Sequence, residues 1–211
     1  LVYLSKKARI PVIIATQMME SMIANLQPTR AEVNDVANSV MDGADAVMLS
    51  AETSIGKYPS AVVSQISKII NSVEYSDQIV VPGEPPTIKT DRYITKFICY
   101  HAAKTANEIN ASSITTMTHS GYTGFQLSSW RPHCNILVFT SNKRILCRLS
   151  LLWGVKAFYY NKEVSTDKTI KHINEILTKN GYSKKGDMVI NLAAMPVKSR
   201  GMVNTLRISE I

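Results

Sequence analysis

Two short apolar runs near the start of the sequence each end in hydroxyls and carboxylates. Pro11 to Ala15 (PVIIA) is followed by Thr16-Gln17-Met18-Met19-Glu20-Ser21-Met22, and Ala46 to Leu49 (AVML) by Ser50-Ala51-Glu52-Thr53. Polar groups directly after a strand lie at the carboxyl end of a parallel sheet, where α/β folds gather their active sites. On spacing alone a second reading stands beside this one, in which Thr16 and Ser50 cap the helices that follow. Further on, Thr118-His119-Ser120-Gly121-Tyr122-Thr123 lies between a strand-like and a helix-like segment. Three hydroxyls, a glycine that permits close backbone approach and the free amides of a helix start make a cradle of the kind phosphate prefers, although a Ser or Thr here also serves as a plain cap. Asp35, Asp42 and Asp45 belong to a helix face and a turn, so no metal site is read among them. His101, His133 and His172 fall on a helix, a loop and a helix without metal spacing, and Trp130 and Trp153 read as core or interface residues.

The elements that must position these groups follow from periodicity. Leu1 to Arg9 has helical spacing, and PVIIA is a β-branched run suited to a parallel strand buried on both faces. Pro28, Thr29, Glu32 and Asp35 open a helix that runs to about Met41 and is ended by Gly43 before the AVML strand. A further helix follows Tyr58 and Pro59, with Ala61, Val62, Ile66, Ile69, Ile70 and Val73 on one face. Short strands alternating with helices are the grammar of α/β folds, and two such repeats cannot close a barrel. Val-Pro-Gly-Glu-Pro-Pro breaks regular structure between residues 76 and 90, which places a linker there between a domain of residues 1–75 and one of 91–211. Beyond it come a long helix at Tyr93 to Asn110 and strands at Ser113 to Met117, Ile136 to Thr140, Val155 to Tyr159 and Met188 to Leu192. Helices at Asn142 to Ser150 and Asp167 to Asn180 separate them. Met202 to Ile208 follows too closely for a crossover, so it should run antiparallel. The second domain is a complete three-layer α/β/α unit on this reading.

Composition restricts the classes of function. The 211 residues are 45% hydrophobic and 19% charged, values of a folded chain and not of a disordered one. No apolar run approaches the roughly 20 residues that span a bilayer, and no signal-peptide pattern opens the chain, so a cytoplasmic protein is expected. Cys99, Cys134 and Cys147 are widely spaced and read as buried free thiols. The net charge of +8 is uneven: residues 1–90 carry seven basic against nine acidic side chains, and residues 91–211 seventeen against seven. The second part therefore favours anions. Its basic residues are scattered without aromatic interleaving, which argues for a small phosphorylated ligand over nucleic acid. The chain lacks a starting Met and opens inside a helical pattern, as a processed or truncated chain would.

The stretch A-T-Q-M-M-E-S-M, followed by P-T-R-A-E-V-N-D-V-A-N-S-V-M-D-G-A-D-A-V-M-L-S-A-E-T, closely resembles the end of the pyruvate kinase barrel over more than thirty residues. The resemblance implies the carboxy-terminal part of that family's enzyme: the incomplete terminal portion of a (β/α)8 barrel followed by its regulatory and oligomerisation domain. It also implies phosphoryl transfer from phosphoenolpyruvate to ADP in glycolysis, giving pyruvate and ATP, with magnesium and potassium as cofactors and a homotetramer as the assembly. Thr16 matches the family's threonine beside the enolate carbon, and Ser50 and Glu52 match a pair that organises water and proton delivery. Protonating that carbon needs a hydroxyl or ordered water in reach, held by a supporting carboxylate. Met19 replaces a frequent leucine and Ala51 a common glycine.

The family's metal carboxylates, catalytic lysine, monovalent-cation ligands and nucleotide contacts match upstream of Leu1, so this chain by itself is expected to be inactive. Thr118 to Thr123 resembles the loop that holds an allosteric sugar phosphate, but with His119 for a lysine and Tyr122 for an arginine. That change weakens the case for fructose bisphosphate and leaves a monophosphate, or no effector, as alternatives. The loop Met195 to Thr205 resembles the closing segment, in which Lys198 and Arg200 are either effector ligands or solvated charges. The alternative to an enzyme part is a non-catalytic sugar-phosphate-sensing and oligomerisation module.

Overall fold

The computed structural model describes residues 1–74, 79, 81, 85–86, 92–162, 166–195 and 202–211, with the side chains of 166 and 167 left out. The chain divides into two compact units, Leu1–Pro82 and Gly83–Ile211. Most of the segment read as a linker, and the loop positions Lys198 and Arg200, lie outside the described residues.

In the first unit α1 (Val2–Lys7) leads to β1 (Ile13–Ile14), which pairs in parallel with β2 (Ala46–Val47). Parallel strands need a crossover, supplied here by a 3-10 turn at Glu20–Ile23 and by α2 (Arg30–Met41). The start of α2 is fixed by a capping box: the Thr29 hydroxyl accepts the Glu32 N–H, and the Glu32 carboxylate accepts the Thr29 N–H. Its end is fixed by Gly43 at φ 92°, where the Ala44 N–H returns to the Ser39 carbonyl. A short α3 (Ala51–Ser54) and the longer α4 (Pro59–Glu74) follow β2, and α4 buries Val62, Ile66 and Ile69 against Met18, Met19, Met22 and Val36. Lys6 and Asp45 form a buried ion pair at 3.0 Å, and Asp45 also accepts the Val12 N–H at 2.9 Å, which ties α1 to the entry of both strands. β1 departs from the sequence expectation of burial on both faces: Ile13 is 44% exposed. A two-stranded sheet has no neighbour to cover its outer face, whatever the residues prefer.

The second unit is a five-stranded sheet in the order β5-β4-β3-β6-β7. Its strands are β3 (Ser113–Met117), β4 (Asn135–Thr140), β5 (Val155–Tyr159), β6 (Met188–Ala193) and β7 (Thr205–Glu210). The first four are parallel and β7 is antiparallel to β6, as its short connection requires. Alternation along each strand serves two faces. Ile114, Ile136, Val138, Ile190 and Leu192 meet α5 (Tyr93–Glu108), α6 (Tyr122–Ser128) and α7 (Lys143–Leu149) on one side. Leu137, Phe139 and Val189 meet α8 (Thr166–Lys179) through Ile173 and Leu177 on the other. α5 can lie close because it presents Cys99, Ala102, Ala103 and Ala106, all small. Burial pushes the Cys134 thiol up to about 12 and the Cys99 thiol higher still. Cys147, expected to be buried, is exposed on α7.

A polar ladder crosses the α8 face of this sheet. The Thr115 hydroxyl donates to the Asn191 Oδ1 at 2.8 Å, and the Asn191 amide donates to the Ser209 Oγ at 3.1 Å, with Thr115 and Asn191 both almost fully buried. Thr115→Val keeps the shape but strips Asn191 of its donor, so it should cost about 1–3 kcal/mol. The urea midpoint should fall accordingly with the m value unchanged.

Candidate functional site

Thr16 and Ser50 stand just past the carboxyl ends of the paired strands β1 and β2. Neither hydroxyl caps a helix. The Thr16 hydroxyl donates to the Met18 Sδ at 3.1 Å, and Met19 is the residue that heads the 3-10 turn. Ser50 occupies the cap position of α3 without a side-chain cap bond. What binds the two loops is Glu52. Its carboxylate accepts the Ser50 N–H at 2.8 Å and the Met19 N–H at 3.2 Å, although Glu52 is only 4% exposed. Burial works to raise its pKa, but the backbone hydrogen bonds of Glu52, Ser50, Met19 and Met18 together outweigh it and hold the group below the usual glutamate value. The chain then turns back tightly under this carboxylate. A Cβ on Gly56 would lie 2.3 Å from the Glu52 carbonyl oxygen, and the Lys57 N–H reaches the Ile23 carbonyl at 2.9 Å, a second tie between the loops.

Magnesium needs oxygen ligands that are free to face it. Among the described residues no three His, Cys, Asp or Glu side chains gather. The Glu52 oxygens are spent on amides, and Asp45 on Lys6 and Val12. The described residues therefore do not form a magnesium site.

In the second unit, Thr118 to Thr123 lies beyond β3 at the point where the strand order reverses, since β4 and β5 extend one way and β6 and β7 the other. A crevice at this switch point is the ordinary ligand position of an open parallel sheet. Gly121 stands at φ 83° to start α6. The helix-start amides expected to be free are partly taken: the Gly121 N–H donates to the Thr118 Oγ1 at 3.0 Å and the Tyr122 N–H to the Ser120 Oγ at 3.4 Å. His119 and Ser120 are exposed, while Gly121 and Thr123 are buried. The neighbouring loop after β4 contributes Asn142, whose amide donates to the His119 carbonyl at 3.2 Å. Arg92, just before α5, places its guanidinium 4.3 Å from the centre of the Tyr122 ring. Sequence reasoning did not anticipate this cation. Burial pushes the Tyr122 phenol up against the opposing pull of Arg92. The base of the closing loop is pinned by Asn204, which donates to the Met195 carbonyl and accepts its N–H, both at 2.8 Å.

The two units define a class of protein: a parallel strand pair with its crossover and flanking helices, then a three-layer α/β/α domain with a hydroxyl-rich loop at its switch point. Residues 1–63 match the family described as pyruvate kinase, barrel domain, and residues 96–209 the one described as pyruvate kinase, alpha/beta domain. The chain belongs to the pyruvate kinase family. It is 38% identical over 201 residues to a pyruvate kinase of Mycobacterium tuberculosis (strain CDC 1551 / Oshkosh), covering 95% of this chain and 42% of the relative. It is 39% identical over 198 residues to a Corynebacterium glutamicum pyruvate kinase, covering 94% and 41%. The crystal structure of a pyruvate kinase from Cryptosporidium parvum superposes with a TM-score of 0.87 at 29% identity, over 99% of this chain and 41% of that one. The chain thus spans about two fifths of the length of these relatives.

The depressed Glu52 pKa fixes the sign of a pH effect. A carboxyl held below its unfolded value stabilises the fold above that value and ceases to do so as pH falls through the folded one. Acidification below about pH 4.3, the reference for glutamate, should therefore weaken the first unit. Glu52→Gln should lower stability at neutral pH and flatten the acid limb, measured as melting temperature against pH.

Proposed function

We propose that this chain forms the carboxy-terminal part of an enzyme that transfers the phosphoryl group of phosphoenolpyruvate to ADP, giving pyruvate and ATP in glycolysis. The observation that carries the reading is the placing of Thr16 and Ser50 at the ends of two paired parallel strands, with their loops joined through the buried Glu52 carboxylate. Loss of the phosphoryl group leaves the enolate of pyruvate, whose methylene carbon takes a proton to become the methyl group. Thr16, or water held by it, is the donor at hydrogen-bond reach, and Ser50 orders that water. Glu52 acts by fixing the backbone beneath both hydroxyls. Magnesium and potassium, which such an enzyme uses to neutralise phosphate charge, would be held by residues other than those described here. The assembly would be a homotetramer in the cytoplasm. No described helix is long and apolar enough to cross a membrane.

In the intact enzyme that contains this segment, Thr16→Ala should lower kcat by about 100-fold, within the range of lost general acid catalysis, and leave KM for phosphoenolpyruvate within about threefold. An unchanged kcat overturns the role. The 211-residue chain alone should give no pyruvate above the blank in a coupled assay with phosphoenolpyruvate, ADP, magnesium and potassium.

The second unit supports a second, compatible reading as a sugar-phosphate-sensing module, because a hydroxyl-rich loop stands at its sheet's switch point. Calorimetric titration with fructose bisphosphate, glucose 6-phosphate and ribose 5-phosphate tests it. Binding should be modest, and Ser120→Ala should weaken it by removing an exposed hydroxyl. Lys198→Ala and Arg200→Ala should weaken it further if the closing loop supplies charge. No heat at millimolar ligand reduces the loop to a helix cap.

A further inference from the structure

We infer that Glu32, a residue with no part in the proton-delivery scheme, is a positioning residue for Thr16. The inference rests on the catalytic reading of Thr16. Between β1 and α2 the chain runs from Ala15 to Thr29 with one 3-10 turn as its sole regular element. Each residue of such a segment loses backbone entropy when held in one conformation, so a hydroxyl at its start stays in place only if the segment is pinned.

Three kinds of pin are present. Met18, Met19 and Met22 are buried to within 1% of full burial and anchor the turn from below. Glu52 holds the Met19 amide. The third pin is Glu32, whose carboxylate accepts four donors: the Ser21 N–H at 2.7 Å, the Ser21 hydroxyl, the Thr29 N–H at 2.7 Å and the Thr29 hydroxyl at 2.9 Å.

These four bonds divide into two sets with different purposes. Those to Thr29 accompany the capping box and stabilise the start of α2. Those to Ser21 reach back eleven residues and contribute nothing to the cap. They clamp the 3-10 turn onto the first turn of α2. Oε1 takes the Ser21 N–H, and Oε2 is shared by the Ser21 hydroxyl and both Thr29 donors, so one oxygen joins the turn to the helix start. Burial opposes the charged form, but the Ser21 and Thr29 bonds outweigh it and keep the group ionised, as a clamp must be. Thr16 is linked to the clamped turn by its own contact, the hydroxyl resting on the Met18 Sδ at 3.1 Å. If the turn lifts, Met18 moves and Thr16 loses its support. Misplacement of a reacting group by about 1 Å can cost on the order of 100-fold in rate. A partial loosening should cost less.

The test is a double-mutant cycle in the intact enzyme that contains this chain, with kcat and KM measured for phosphoenolpyruvate and ADP. Glu32→Gln loses part of the four-donor set and should lower kcat about tenfold, with KM within about threefold. Ser21→Ala leaves the capping box whole and removes one clamp bond; it should lower kcat about threefold with a smaller fall in melting temperature than Glu32→Gln gives. Added to Thr16→Ala, either substitution should lower kcat by less than about twofold more, because its effect passes through the hydroxyl already removed. Should Glu32→Gln fail to fold, Ser21→Ala runs the same cycle. Losses that multiply with Thr16→Ala, or full kcat in both clamp variants, overturn the positioning role while the catalytic reading stands. Full kcat in Thr16→Ala overturns the catalytic reading itself, and the inference with it.

Discussion

Parallel strands cannot be joined by a tight turn, and both units of this chain are arranged around that constraint. Every parallel pair here, β1 with β2, β3 with β4 and β6, and β4 with β5, requires the chain to leave one end of the sheet and return to the other. The return path covers a face of the sheet and leaves the loops that follow the strands together along one edge. That is why Thr16 and Ser50 come together from positions 34 residues apart, and why the loops starting at Thr118 and Asn142 are neighbours joined by a hydrogen bond. Core and candidate site are two results of one connection rule. The crossover buries Met22 and Val36 in the first unit, α8 buries Ile173 and Leu177 in the second, and the same connections aim the loops.

The edge so created must hold polar groups without losing shape. In the first unit a buried carboxylate has no cation partner among the described residues. Glu52 is stabilised by backbone N–H groups, which are fixed in direction by the chain and cost no side-chain entropy to order. An arginine in that place would answer the charge but would not bind two loops through their own backbones. Where a true ion pair occurs, between Lys6 and Asp45, it lies on the opposite side of the strands, at their entry. There a charge pair serves to hold a helix and has no reacting group to disturb.

Strands β3 to β6 could be read to within a residue because each is a short run rich in apolar residues, whereas the last strand, expected at Met202 to Ile208, lies at Thr205–Glu210 on the half-exposed edge. Ser113 to Met117 and Val155 to Tyr159 coincide with the observed elements. Helix ends at Thr29, Asn142 and Gly181 were legible for a different reason: caps and left-handed glycines leave local marks. Thr16, Ser50 and Glu52 could be picked out by residue type and motif, but how they interact could not. Glu52 and Met19 are 33 positions apart, and a side chain bonded to a distant amide leaves no period or spacing in the sequence. The same holds for Glu32, visible as the partner of Thr29 and invisible as the partner of Ser21. The exposed faces of Ile13 and Cys147 escaped for the opposite reason: apolar type predicts burial only where a neighbour exists to supply it.

The switch-point loop shows how far residue type misleads about charge. Reading positions 119 and 122 as His and Tyr suggests that two cations have been removed from the loop. A cation from another element nevertheless stands beside the loop, since the Tyr122 ring is the surface on which the Arg92 guanidinium rests at 4.3 Å. An arginine at position 122 would repel Arg92; a tyrosine attracts it through the negative face of its ring. A guanidinium stacked in this way keeps its in-plane N–H donors available, because the contact uses the face of the group and hydrogen bonding uses the edge. The charge beside the loop is therefore carried on the residue before α5 and held against a ring of α6. Charge at the edge of a sheet belongs to the space that several elements share, and a motif confined to one loop records only part of it.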